Sequence, residues 1–202
     1  MSFLHIIHSR QVLSCLSVKL NVSRIKEEFI MANVVLYIAT SLDGKIARTN
    51  DQLDWLFAVE GEGDNGYADF FQTVGAVIMG RKTYEEVLVL EPDGYPYDKI
   101  PNYILTRNPD REAEHVTFTD EPIKQLIERL KQDVDGDIWL VGGGEVIKAA
   151  MAHDLIDSYE IAIAPVVLGE GIPLFPEGTK ETKLRLTSQR ASGQFVMVTY
   201  ER

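Results

Sequence analysis

The sequence predicts an α/β fold: a mostly parallel central sheet flanked by helices, with an antiparallel hairpin at the C-terminal end. Three observations carry this reading. Continuous apolar runs of four to six residues recur along the chain, and such runs suit strands covered on both faces. Segments of helical period separate them. Near the C-terminus, two strand-like runs follow with no helix between them, so they are expected to pair antiparallel.

In chain order, Val34 to Ala39 is the first buried strand, and Asp43 and Gly44 form a turn behind it. A short helix is expected over Tyr67 to Val74, then a strand over Ala76 to Met79 that ends at Gly80 and leads into a helix opening at Arg81. Tyr103 to Leu105 is the next strand. Ile123, Leu126, Ile127 and Leu130 fall at i, i+3, i+4 and i+7, one face of a helix. Thr119 or Asp120 is placed to cap that helix, with Pro122 in its first turn. Ile138 to Val141 is a strand, and a helix starts at Gly143 or Gly144 and runs to Ala152 with Val146, Ile147, Ala150 and Met151 inward. Tyr159 to Ala164 and Gln194 to Tyr200 are the pair expected to make the hairpin. Pro165 to Pro176, rich in Gly and Pro, reads as a long ordered loop.

Residues 1–30 differ from the rest. They carry Arg10, Lys19, Arg24 and Lys26 with no acid before Glu27, and they lack a sustained helical or strand period. Lys26, Glu27 and Glu28 can be encoded by a purine-rich ribosome-binding stretch, so Met31 is read as the true start and 1–30 as translated leader. A targeting segment or an ordinary extension are the alternatives. Residues 31–202 contain no repeat, linker or low-complexity tract and are read as one domain.

Composition narrows the function. The 202 residues include 45% hydrophobic residues, which excludes whole-chain disorder. The net charge of −11 argues against a nucleic-acid partner, and no apolar run approaches a membrane span. The one cysteine, Cys15, can form neither an internal disulfide nor a cysteine zinc site. A cytoplasmic location is expected, with no metal. Glu60, Glu62 and Asp64 are spaced like the start of a calcium loop, but Asn65 and Phe71 stand where the required glycine and glutamate belong. His115 and His153 have no partner at ligand spacing, and no nucleophile turn appears.

The informative positions lie at strand ends. Ile138 to Ile147 takes a strand through Gly142, Gly143 and Gly144 into a helix. Glycines there either let a phosphate approach free helix N–H groups or simply make a tight turn. It is neither the dinucleotide fingerprint nor a P-loop. Gly80, Arg81, Lys82 and Thr83 end another strand, with two cations opposing the dipole of the helix they open, a conflict that an anionic ligand would relieve. Leu105, Thr106 and Arg107 end a third. In open α/β sheets, ligands lie beyond the carboxyl ends of the strands.

Ser41 to Ala47, Met79 to Glu85, and Val141 to Glu145, in that order, resemble the dihydrofolate-reductase-like superfamily. With Ala164 to Gly171, Leu174 and Phe175, the chain is most similar to the branch containing the riboflavin-biosynthesis reductase domain, over about Asn33 to Glu201. The resemblance implies an NADPH-dependent reductase. It implies that Ala39 and Ile46 border the nicotinamide, and that Gly80, Arg81, Lys82 and Thr83 with Leu105, Thr106 and Arg107 hold the adenosine side and its 2′-phosphate. It further implies that Val141, Gly142, Gly143, Gly144, Glu145 and Val146 receive the pyrophosphate, often through a cis Gly-Gly bond. Cations near the 2′-phosphate favour NADPH over NADH. The His-x-Glu and Pro-Cys-x-x-Cys motifs of the zinc deaminase that accompanies such reductases are missing from the sequence, so deamination is not expected of these residues.

The expected reaction is hydride transfer to a C=N or C=O carbon of a small polar, pteridine- or pyrimidine-like substrate, held between the first helix and the loop Pro165 to Phe175. Asp69 is the expected proton donor; Asp64 and Tyr67 lie nearby in the sequence. A true dihydrofolate reductase and a non-catalytic nucleotide-binding module of the same fold stay open. The branch commonly pairs through sheet edges or the C-terminal hairpin, so a homodimer is expected.

Overall fold

The computed structural model describes residues 32–202; the leader reading of residues 1–30 lies outside the described residues. Ten strands and five helices follow in the order β1 (Val34–Ser41), β2 (Lys45–Ala47), α1 (Asp54–Phe57), α2 (Tyr67–Phe71), β3 (Val74–Gly80), α3 (Arg81–Leu90), β4 (Asn102–Leu105), β5 (Thr117–Thr119), α4 (Ile123–Asp133), β6 (Asp137–Gly142), α5 (Gly144–Ala152), β7 (Ser158–Ala164), β8 (Ile172–Pro173), β9 (Arg185–Ser192) and β10 (Phe195–Glu201). Eight strands form one sheet in the order β5-β4-β3-β6-β1-β7-β10-β9, while β2 and β8 make a separate small ladder. The first six sheet strands run parallel; β10 and β9 are antiparallel to their neighbours.

Alternation along the strands builds two cores. Val34, Leu36, Ile78, Ile138 and Leu140 pack against Ile123, Leu126, Ile127 and Leu130 of α4 and Ile147, Ala150 and Met151 of α5. On the opposite face, Val35, Val77, Met79, Ile104 and Trp139 meet Phe70 of α2, Tyr84 of α3 and Phe118. Burial on both faces explains why these strands read as unbroken apolar runs. A third, smaller cluster joins Trp55, Ala164, Phe195 and Met197 beneath α1.

Four expectations need correction. The α4 cap is Pro122, with no side-chain cap bond; the Thr119 hydroxyl instead accepts from the Glu121 N–H, which closes the preceding turn. The helix expected over Tyr67 to Val74 stops at Phe71, because Val74 is drawn into β3 opposite Asp137. The expected antiparallel pairing of Tyr159 to Ala164 with Gln194 to Tyr200 is present as β7 against β10, but the hairpin itself is made by β9 and β10 around Gly193, and β7 also lies parallel to β1. β9 went unread because seven of its eight residues are exposed, which leaves it no apolar alternation. The Pro165 to Pro176 loop contains β8, which clips onto β2.

Leu126 is fully buried at the α4 contact with the sheet. Leu126→Ala should cost about 2–5 kcal/mol in urea unfolding, whereas a change at exposed Lys124 should stay within about 0.5 kcal/mol. A Leu126→Ala loss below about 1 kcal/mol would contradict this packing.

Candidate active site

The carboxyl edge of the sheet brings the ends of β3 and β6 together. A Cβ at Gly80 would lie 3.2 Å from Val146 Cγ2 and 3.8 Å from the Gly142 carbonyl oxygen. One at Gly143 would lie 3.5 Å from Thr83 Oγ1 and 3.9 Å from Ile46 Cδ1. Gly142 has φ of 122°, and the Gly142–Gly143 peptide is cis. Gly143 then caps α5 without a side-chain bond, so the first N–H groups of that helix point out of the turn unclaimed by any cap. Gly144 has a plainer role: a Cβ there would sit 2.9 Å from the Pro173 carbonyl oxygen, so glycine is needed for packing. Glu145 is exposed in the first turn of α5, where its charge suits the helix dipole but would repel an anion. Its useful group toward a phosphate is the backbone N–H.

The cations stand at neighbouring strand ends, with Gly80 paired to Leu105 in register. They are not all idle. Arg81 bonds the Glu85 carboxylate, which Arg111 also reaches at 3.1 Å, and these two guanidiniums hold Glu85 below the usual carboxylate range. Lys82 lies 3.9 Å from Asp51. Arg107 is exposed and, among the described residues, makes no ion pair. Thr106 donates its N–H to the Thr119 carbonyl and accepts on its hydroxyl from Asn108. Exposed pairs such as Arg81–Glu85 contribute about 0–1 kcal/mol, so a ligand phosphate can compete for them.

Asp43 does more than make a turn. Its carboxylate accepts from the Ser41 hydroxyl at 2.7 Å and from the N–H groups of Leu168 and Gly169 at 3.0 and 2.9 Å. It therefore ties the turn after β1 to the loop that follows β7, beside the Leu42 N–H to Val166 carbonyl bond of 2.8 Å. Ala39 and Ile46 flank this turn.

An aromatic layer, not apparent from residue spacing, lies over the second core. Tyr37 stacks on Phe70 with centroids 4.1 Å apart, and Tyr67, Phe71, Tyr97 and Trp139 continue the cluster edge-on. Asp64 caps the start of α2 by accepting from Gly66 and Ala68, which lowers its pKa and commits it to structure. Asp69 is exposed in the first turn of α2. Tyr67 is half-buried, and burial raises its phenol pKa. Trp55 is buried with its indole N–H unpartnered among the described residues. Glu160, a charge inside an apolar strand run, is half-buried at the third position of β7. Its charge is visible in the sequence, but its surroundings are not.

Strand order, the β9–β10 hairpin and the glycine edge define a dihydrofolate-reductase-like α/β protein. The profile of the RibD C-terminal domain family matches residues 32–198, and the chain belongs to that family. It is 52% identical over 169 residues to the uncharacterized protein YwjB of Bacillus subtilis, covering 83% of this chain and 97% of that one. Among solved structures, a candidate riboflavin biosynthesis protein from Shewanella sp. PV-4 superposes with a TM-score of 0.72 at 30% identity, covering 85% of this chain and 99% of that one. The Thermotoga maritima diaminohydroxyphosphoribosylaminopyrimidine deaminase/5-amino-6-(5-phosphoribosylamino)uracil reductase shares the fold, with a TM-score of 0.61 at 17% identity. This chain covers 56% of that bifunctional protein.

The donors around Asp43 hold its pKa at about 2, below the ordinary 3.8. A depressed carboxyl stabilises the fold fully above its unfolded pKa, and that stabilisation is lost as pH falls through about 2. In urea unfolding between pH 5 and pH 2, Asp43→Asn should therefore show a shallower loss of stability than the parent. Parallel curves would contradict the clip.

Proposed function

We propose that this protein is an NADPH-dependent reductase of the riboflavin-biosynthesis reductase type, transferring hydride to a C=N or C=O carbon of a small pteridine- or pyrimidine-like substrate. The observation that carries the reading is the side-chain-free edge where Gly80, Gly142 and Gly143 meet Thr83, Ile46 and Val146 at the start of α5. Those residues fit a dinucleotide. Glycine leaves room for a pyrophosphate, and the α5 N–H groups supply donors of the right sign. Arg81, Lys82 and Arg107, at neighbouring strand ends, would supply the cations a 2′-phosphate needs.

When bound, NADPH supplies the hydride. The chain's residues bind and orient. The Asp43 clip sets the turn that carries Ala39 and Ile46, fixing the wall against which a nicotinamide would rest. The loop from Pro165 to Phe175, tied down by that clip, closes the substrate side and excludes water. Asp69, exposed to solvent on α2, is the assigned proton donor and can recharge from bulk water. Residues 31–202 act as one reductase domain. They pair with a second copy through the β9–β10 hairpin, where Leu186 and Val196 stand exposed.

The test measures NADPH and NADH affinity, then NADPH oxidation with dihydrofolate and with the phosphoribosylaminopyrimidine intermediate of riboflavin synthesis. Arg81→Ala should weaken NADPH about tenfold, roughly 1.4 kcal/mol, and NADH much less. Equal losses would contradict the 2′-phosphate assignment. Binding without turnover on a carbonyl and imine panel would favour a binding module, and absent NADPH binding would overturn the reading.

A further inference from the structure

We infer that Glu85 is a positioning residue that tunes the preference for NADPH over NADH. It holds the Arg81 guanidinium while the site is empty, and passes to Arg111 alone when Arg81 turns to the 2′-phosphate. The inference rests on the reductase reading above and deepens it by naming residues that set cofactor choice without touching the cofactor.

Arg81 opens α3, and Glu85 lies one helical turn later on the same face. The two guanidiniums take different oxygens of the carboxylate: Arg81 donates to Oε2, and Arg111 donates to Oε1 at 3.1 Å. Each can therefore leave without dislodging the other. Their supports differ. The Arg111 guanidinium lies 5.1 Å from the centroid of the Phe118 ring, and buried Phe118 meets Tyr84 of α3 edge-on at 5.5 Å. Arg111 is thus fixed against β5 independently of Arg81. Among the described residues, the Arg81 side chain bonds only Glu85. It is the movable member of the three. It stands one residue past Gly80, whose register partner is the strand end at Leu105.

Charge gives the exchange its direction. Two guanidiniums and one carboxylate leave a single net positive charge for an anion. When Arg81 turns to a phosphate, Arg111 still neutralises Glu85, and no unpaired carboxylate faces the phosphate. Without Arg111, the same turn would set a bare carboxylate beside a dianion, and like charges repel. The exchange runs toward the phosphate because an exposed ion pair is weak, whereas an arginine fork on a phosphate makes two charge-assisted bonds. Glu85 is then a competitor for Arg81 that a phosphate displaces, and Arg111 weakens that competition. NADH brings no 2′-phosphate, so Arg81 stays on Glu85, and NADH affinity is indifferent to both Glu85 and Arg111.

The test measures dissociation constants for NADPH, NADH and 2′,5′-ADP with the full chain, with Glu85→Gln, with Arg111→Ala and with the double variant. Glu85→Gln should tighten NADPH and 2′,5′-ADP about three- to fivefold, and Arg111→Ala should weaken both by about the same factor. NADH should move by less than about twofold in every variant, which also reports that they are folded. With Glu85→Gln already present, Arg111→Ala should weaken NADPH by less than about twofold, since no carboxylate remains to be neutralised. Unchanged or weaker NADPH binding in Glu85→Gln would overturn the inference, because Glu85 would then not compete for Arg81. An Arg111→Ala loss of equal size in both backgrounds would also overturn it, because Arg111 would then act on the phosphate itself. If the parent binds NADPH and these ratios fail, the inference falls and the reductase reading stands. If the parent binds neither NADPH nor 2′,5′-ADP, both fall.

Discussion

Three missing side chains set the geometry of this protein. The end of β3 lies close against the start of α5, where a Cβ on Gly80 would crowd Val146 at 3.2 Å, and Gly142 takes a positive φ in the same corner. A side chain at Gly80 would press on Val146, and one at Gly142 would strain the positive-φ backbone, at the point where the sheet meets the start of α5. The same contacts bring Thr83 and Ile46, from two other segments, to within van der Waals distance of Gly143. A corner assembled from four segments, and lined mainly by backbone, suits a ligand recognised through its phosphates.

From that corner the sheet divides into two working faces. α4 and α5 seal one with aliphatic side chains and make it structural. The other carries the aromatic layer and, toward β7, β10 and β9, becomes polar around Glu160. Asp43 links the two ends of this arrangement by bonding the turn after β1 to the loop after β7. A turn residue thereby acquires a long-range role, with its charge satisfied by the backbone of a segment more than a hundred residues away.

The parallel half of the fold was legible because its strands are buried on both faces and announce themselves as apolar runs. The strand-end glycines and cations were legible for the same reason: each sits at the break of a run. β9 was not, since an exposed edge strand has no apolar period. The α4 cap was misplaced because Thr119 satisfies the turn before the helix. What the sequence could not show was pairing. Arg81 looked free, yet Glu85 lies one helical turn away and takes its charge. Asp64 and Asp69 are close in the sequence, yet only Asp64 is used up as a cap.

The central claim is that the glycine corner and the start of α5 receive a dinucleotide pyrophosphate. A crystal structure of the chain with NADP+ tests it most directly. The account predicts pyrophosphate oxygens within about 3 Å of the backbone N–H groups of Gly143, Gly144 or Glu145, with the 2′-phosphate beside Arg81 or Arg107. A dinucleotide bound with its pyrophosphate away from that corner, for instance against Arg190, would contradict it.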